Sequence, residues 1–298
     1  MFKEGVYTVL VTPFNKEGII SYNSLDNLVN NQINKGVKGI ITMGTTSESP
    51  TINYGEKVEL IKYLWNKYNE SINIIIGIGG NNTQEVIDFG RFCSDYCHAY
   101  MVTAPHYNKP SQEGIYTHFN TIANADIIKE KDIMMYNIPS RCGVNMDPEI
   151  ISKLYNTCPN IVAIKEASGS ISQTQEILNL CDINIFSGDD ALVVPLMSCG
   201  AKGVISVTSN LIPNYMVRIV NNCLNNNFNE AMQLNSKIHT LLKLLFIETN
   251  PVPLKYLLNR LEIIEEATVR LPLVKINKTN ISLKLNQKIG LINELNRI

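Results

Sequence analysis

Short runs of β-branched and other apolar residues recur at Val6–Val11, Gly39–Met43, Ile72–Gly77, Ala99–Thr103, Ile133–Asn137, Ile161–Lys165, Ile183–Ser187 and Gly203–Val207. They show little alternation between apolar and polar positions, the habit of strands covered on both faces in a parallel sheet. Between them apolar residues fall at helical spacing: Leu25, Leu28, Val29 and Ile33 form one stripe, and Val86, Phe89 and Cys93 another. Helix starts follow the same rhythm. Asp147-Pro148-Glu149 sets an N-cap residue before a proline at the first helical position, and Ser170 to Gln173 has capping-box spacing.

Eight such βα units in about 210 residues predict an α/β fold, a closed (β/α)8 TIM barrel, with a doubly wound open sheet as second choice. After Val207 the pattern changes to helical stretches at Pro213–Leu224, Phe228–Ile247 and Pro253–Leu261. These predict a catalytic barrel over residues 1–226 and a C-terminal helical extension over 227–298. The Asn-rich stretch 221–229 looks like a low-complexity linker, but Asn and Ile are abundant throughout, so a compositional bias explains it more simply.

Composition narrows the partners. The 26 basic and 27 acidic side chains nearly cancel and no Lys/Arg cluster tracks a phosphate backbone, so nucleic acid is not an expected partner. No apolar stretch approaches the ~20 residues a bilayer requires, and the N-terminal residues lack a charged leader before an apolar run. A soluble, cytoplasmic protein with no membrane partner is expected. Seven scattered cysteines without a Cys-x-x-Cys pair read as reduced core thiols. Cys93, Cys97 and His98 suggest a metal site on paper, but no second ligand pair follows at zinc spacing, so core packing is preferred. Neither a metal nor a cofactor is implied.

In a barrel of this kind the residues just after each strand carry the chemistry. Here they are polar: Gly44-Thr45-Thr46-Ser47-Glu48-Ser49, His106-Tyr107-Asn108, Tyr136 to Arg141, Lys165, and Gly188-Asp189-Asp190. Lys165 ends an apolar strand, where burial strips hydration from an ammonium and lowers its basicity. Free lysine at pH 7 is neutral in only about one molecule in 2,500, so a depressed pKa is what a Schiff-base lysine needs. A lysine snorkelling to solvent is the competing explanation. Tyr136, Tyr107 and the Thr45 hydroxyl offer a proton chain, Gly44-Thr45-Thr46 offers hydroxyls and N–H groups to a carboxylate, and Arg141 offers a guanidinium to a second one. No glycine-rich phosphate loop is present, which argues against nucleotides and phosphosugars.

With these segments assembled, the chain resembles the dihydrodipicolinate synthase family of pyruvate-dependent class I aldolases, which also holds N-acetylneuraminate lyase. The resemblance runs from Gly5 to about Pro272. It is carried by the Gly44–Ser49 motif, Pro105-His106-Tyr107-Asn108-Lys109-Pro110-Ser111-Gln112-Glu113-Gly114, Tyr136-Asn137-Ile138-Pro139-Ser140-Arg141-Cys142-Gly143, Lys165-Glu166-Ala167-Ser168-Gly169, Ser187-Gly188-Asp189-Asp190, Gly203–Val207, and Asn250-Pro251-Val252-Pro253-Leu254-Lys255. It implies a lyase in the diaminopimelate route to lysine, in which Lys165 forms an imine with pyruvate and the product arises by condensation with L-aspartate 4-semialdehyde. It further implies that Thr46 and its N–H hold the pyruvate carboxylate, and that Tyr136, Thr45 and Tyr107 relay protons, Tyr107 from a neighbouring subunit. Arg141 would bind the aldehyde's carboxylate, and Gly188 and Ile205 would line the pyruvate pocket. The implied assembly is a homotetramer, a dimer of dimers.

Three departures from the family pattern stand out. Ser47 replaces a usual glycine, which would strain the turn if that position needs positive φ. Cys142 replaces a usual threonine. The positions matching the family's lysine-feedback site hold Ser49, Pro50, Tyr54, Lys57, Asn81, Glu85 and His106; His106, Tyr54 and Lys57 depart from the enterobacterial form, so weak feedback is expected. Arg141 after Pro139-Ser140 favours the synthase over a sibling sugar-acid or sialic-acid aldolase, and the complete set of chemical groups argues against a non-catalytic homologue.

Overall fold

The computed structural model describes residues 2–297. Its strands fall on the eight apolar runs: β1 Gly5–Val9, β2 Gly39–Thr42, β3 Asn73–Gly77, β4 Ala99–Thr103, β5 Asp132–Asn137, β6 Ile161–Glu166, β7 Asn184–Ser187 and β8 Gly203–Ser206. They pair in parallel and close in chain order into a barrel with helices between them, the expected α/β architecture. Nearly every strand residue is buried, which is why the sequence lacks alternation. Each fully buried Ile or Val contributes about 1.5–3 kcal/mol of transfer free energy, so these runs dominate the core.

The chain divides into two compact units, Met1–Glu4 with Glu59–Ile205, and Gly5–Val58 with Ser206–Ile298. In the first, the helices Thr83–Cys93, Gln112–Ala123 and Ile171–Leu180 start on side-chain caps from Asn82, Ser111 and Ser170. The Ser170 hydroxyl accepts from the Gln173 N–H at 3.0 Å, as capping-box spacing predicts, but the Gln173 side chain does not return to Ser170. It is drawn instead to Asn145 and Glu166. Asp147 occupies the N-cap position of Pro148–Thr157 without a side-chain capping bond; Pro148 alone marks that start.

In the second unit, Leu25, Leu28 and Val29 of the helix Tyr22–Asn34 are buried as the stripe predicts, while Ile33 is only half-buried. Gln32 is buried beside them because its Oε1 lies 2.7 Å from the Thr8 hydroxyl and its Nε2 donates to the Ser209 carbonyl. The late helices are Pro213–Leu224, Phe228–Leu244, Val252–Arg260, Thr279–Asn286 and Ile289–Arg297. The Asn-rich stretch forms a tight interhelical turn in which Asn226 takes a left-handed φ of 60° and the Asn227 N–H donates to Asn222. No helix among the described residues is long and apolar enough to cross a membrane.

Candidate active site

In the parallel register of β5 and β6, Tyr136 lies beside Lys165 and Asn137 beside Glu166. Successive strand residues face opposite sides, so Lys165 and Tyr136 share one side and Glu166 and Asn137 the other. The Lys165 Nζ stands 4.0 Å from the centroid of the Tyr136 ring. Lys165 is only 5% exposed, which disposes of snorkelling, and among the described residues no ion pair or hydrogen bond holds its amine. Burial lowers its pKa to about 7; the charge of Asp190 acts against that shift and the charge of Arg141 adds to it. About half the amines are therefore neutral at pH 7, against the one in about 2,500 of free lysine.

The opposite side of β6 is a structural anchor that sequence reasoning missed. Glu166 is buried, and its carboxylate accepts from Asn137 Nδ2 at 3.1 Å, Gln173 Nε2 at 3.1 Å and the Ser168 N–H at 2.6 Å. A carboxylate satisfied in this way is not available to pair with its neighbour Lys165, and it fixes the turn that follows. The only sequence signal was the charge itself at the end of an apolar strand. Gly188 closes in from β7: its N–H donates to the Glu166 carbonyl at 2.7 Å. A Cβ there would sit 2.6 Å from Ala167 Cβ and 3.2 Å from Lys165 Cε, so only glycine allows this approach to the lysine.

Tyr136 is buried and its phenol pKa is raised by desolvation, with Arg141 opposing the rise. Arg141 is exposed on the helical turn Pro139–Cys142. Beside it, Cys142 is buried and its Sγ donates to the Ala104 carbonyl at 3.1 Å; burial pushes its thiol up to about 11, so it stays protonated at neutral pH. Ile205 is buried on β8. Tyr107 stands apart from this group, 84% exposed on a left-handed φ of 68°. The structure thus gathers Lys165, Tyr136, Gly188, Arg141 and Asp190, the last named in the sequence only within the run Gly188-Asp189-Asp190 and without a role.

Thr45 and Thr46 belong to the other unit, in the turn after β2. Met43 and Glu48, at either end of this turn, both have left-handed φ, 58° and 57°. Each costs on the order of 1–3 kcal/mol in a non-glycine residue and persists only where surrounding contacts hold it. Ser47 does not have positive φ, so the strain expected of a glycine replacement does not arise, and its hydroxyl donates to the Leu10 carbonyl at 2.7 Å. Thr46 is buried and its Oγ1 accepts from Asn250 Nδ2 at 2.8 Å. Glu48 accepts from the buried ammonium of Lys255 and, at 2.9 Å, from the Arg270 N–H. Lys255 also donates to the Thr268 carbonyl and lies 4.1 Å over the Phe14 ring.

Of the residues matching the feedback site, Ser49 and Pro50 lie in the 3-10 turn Ser49–Thr51, with Tyr54 62% exposed and Lys57 half-buried in the same unit. In the other unit Asn81, Glu85 and His106 are exposed; Asn81 Nδ2 donates to Asn108 Oδ1 at 3.4 Å and Glu85 accepts from Asn82 Nδ2. Cys93 and Cys97 are buried, and His98 uses Nδ1 to accept from the Ile74 N–H while its ring lies 4.8 Å from that of Trp65, tilted by 48°.

A model of the dihydrodipicolinate synthetase family matches residues 2–289. A relative from Endomicrobium trichonymphae named 4-hydroxy-tetrahydrodipicolinate synthase is 42% identical over 287 residues, covering 96% of this chain and 97% of its own. The crystal structure of dihydrodipicolinate synthase from Thermotoga maritima superposes with a TM-score of 0.93 at 34% identity, covering 98% of this chain and 99% of that one. The structure of the enzyme from Cyanidioschyzon merolae with lysine bound gives a TM-score of 0.93 at 34% identity, with coverage of 97% and 98%.

Proposed function

The chain belongs to the dihydrodipicolinate synthetase family, and from that premise we propose that it acts as a cytoplasmic 4-hydroxy-tetrahydrodipicolinate synthase. The observation that carries the mechanism is the buried, unpaired amine of Lys165 against the Tyr136 ring, with a pKa near neutrality. The neutral amine adds to the C2 carbonyl of pyruvate. The carbinolamine oxygen takes a proton and leaves as water, giving an iminium joined to Lys165. Loss of a proton from C3 yields an enamine, whose C3 attacks the aldehyde carbon of L-aspartate 4-semialdehyde. The amine of that substrate then attacks C2, closes the ring and releases Lys165.

Each step that moves a proton needs a group that both donates and accepts, and Tyr136, Thr45 and Tyr107 are proposed to supply it. Thr46 holds the pyruvate carboxylate through its hydroxyl and N–H, while Gly188 and Ile205 line the pocket. Arg141 holds the carboxylate of the aldehyde. Arg141→Ala is expected to lower kcat/KM for aspartate 4-semialdehyde about 100-fold, the scale of a charge-assisted pair, while borohydride trapping of pyruvate stays within about threefold. Steady-state assay of the purified variant measures both. Unchanged use of this aldehyde would contradict the role given to Arg141, whereas a sibling aldolase would keep turnover of its own, different aldehyde in that variant.

We also propose a homotetramer built from two dimers: an 84% exposed tyrosine acts in a water-excluding site only when another subunit covers it, which requires at least a dimer, and the pairing of two dimers is what the family resemblance implies. Sedimentation should show at least a dimer; a fully active monomer contradicts the role given to Tyr107.

A further inference from the structure

The Thr46 hydroxyl, unlike its N–H, serves a carboxylate only if its proton points at that ligand, and a hydroxyl has one proton to give. The residue beside it decides the matter. Asn250 is 4% exposed, lies 204 positions further along the chain, and aims its Nδ2 at Thr46 Oγ1 from 2.8 Å. The hydroxyl oxygen is then an acceptor for Asn250, and its own proton is left to serve another oxygen. The second polar atom of Asn250, Oδ1, is buried and meets no donor, so the amide is held chiefly by the bond it gives to Thr46.

We propose that Asn250 is a positioning residue for substrate binding: by donating to Thr46 it directs the threonine hydroxyl proton to the carboxylate of the α-keto acid. This rests on the reading that Thr46 holds that carboxylate. Asn250 touches neither the reacting carbon nor the lysine in this role, and it acts through Thr46 alone. The turn carrying Thr46 is held separately by Ser47 on Leu10 and by Glu48 on Lys255 and Arg270, so losing the amide alters the direction of a proton more than the path of the backbone.

Asn250→Asp keeps the shape but offers only acceptors when ionised, so it takes the Thr46 proton for itself. Asn250→Ala removes the donor and leaves the hydroxyl to rotate. The pyruvate concentration giving half-maximal borohydride trapping, measured without aldehyde, is expected to rise about tenfold or more in the Asp variant and only about threefold in the Ala variant. At saturating pyruvate, kcat should stay within about threefold of the parent. The Asp penalty should shrink as the pH is lowered, because a protonated carboxyl can donate to Thr46 again. A purely structural role predicts instead that both variants lose stability, Ala through its cavity and Asp through a buried charge, with half-saturation by pyruvate unmoved in the folded protein.

In a Thr46→Val background neither change at Asn250 should weaken pyruvate further, and the Ala pair tests this even if the Asp variant does not fold. Penalties that add independently of Thr46, or an Asp variant that matches the parent, overturn the inference while leaving the carboxylate reading intact. A Thr46→Val variant with unchanged pyruvate saturation overturns the carboxylate reading, and the inference with it.

Discussion

Lys165→Met is expected to lower kcat by at least about 10⁴-fold while making the protein more stable at neutral pH. The loss follows from the role proposed for Lys165, the amine that bonds the keto carbon; of its neighbours among the described residues, Tyr136 presents its ring to the amine and Glu166 is turned to the other side of the strand. In the parent, the rate of imine formation should climb with pH through a midpoint of about 7, as the ammonium loses its proton. The gain in stability comes from the same burial. An unfolded chain keeps its Lys165 proton up to about pH 10.5, whereas the folded lysine sheds it at about 7. Between these values the unfolded state binds more protons, so the penalty is absent above the window, grows as pH falls through it, and is complete below pH 7. Methionine, of similar volume, removes that penalty, which is on the order of a few kcal/mol at neutral pH. Denaturant unfolding followed by circular dichroism measures it, and a less stable Met variant would contradict the account of Lys165 as a buried group kept for its chemistry.

Glu48→Gln should destabilise the protein by about 3 kcal/mol at pH 7, because it leaves the wholly buried Lys255 ammonium without its counter-charge. Burial lowers Lys255 to about 8, with Glu48 resisting the shift. Without that carboxylate the folded lysine gives up its proton more readily, and the deficit is greatest below about pH 8, where the parent pair is charged. Above it, as both proteins hold a neutral Lys255, the deficit narrows. Adding Lys255→Met to Glu48→Gln should restore most of the lost stability, since a matched neutral pair has no charge to solvate. Unfolding curves for the single and double variants between pH 6 and 10 test the point. A single variant as stable as the parent would mean that the ion pair contributes nothing to holding the turn after β2.

The two buried lysines illustrate what a sequence discloses and what it withholds. Lys165 was legible because an ammonium at the end of Ile161-Val162-Ala163-Ile164 has no packing role, and the eight apolar runs were legible because parallel strands are buried on both faces. Lys255 sits equally deep, yet on a helix with Leu254, Leu257 and Leu258 it passes for the polar edge of an amphipathic stripe. Its partner is 207 positions away, and no local pattern encodes that distance. The same holds for Asn250 and Thr46, and for Gln32 with Thr8 and Ser209: long-range polar pairs are set by topology. Gln173 shows a local rule overridden, its side chain leaving the capping box for Glu166 because a buried carboxylate needs donors more than a half-buried cap does. Ser47 shows the converse, where the expected strain fails to appear because left-handed backbone falls on Met43 and Glu48 on either side of it.

Whether Lys165 forms the imine is decided by incubating the protein with pyruvate and borohydride and mapping the reduced adduct by mass spectrometry. One adduct per chain is expected, on Lys165, forming faster as pH rises through about 7 and absent from Lys165→Met. An unmodified chain, or an adduct on Lys255 or any other lysine that persists in Lys165→Met, would contradict it.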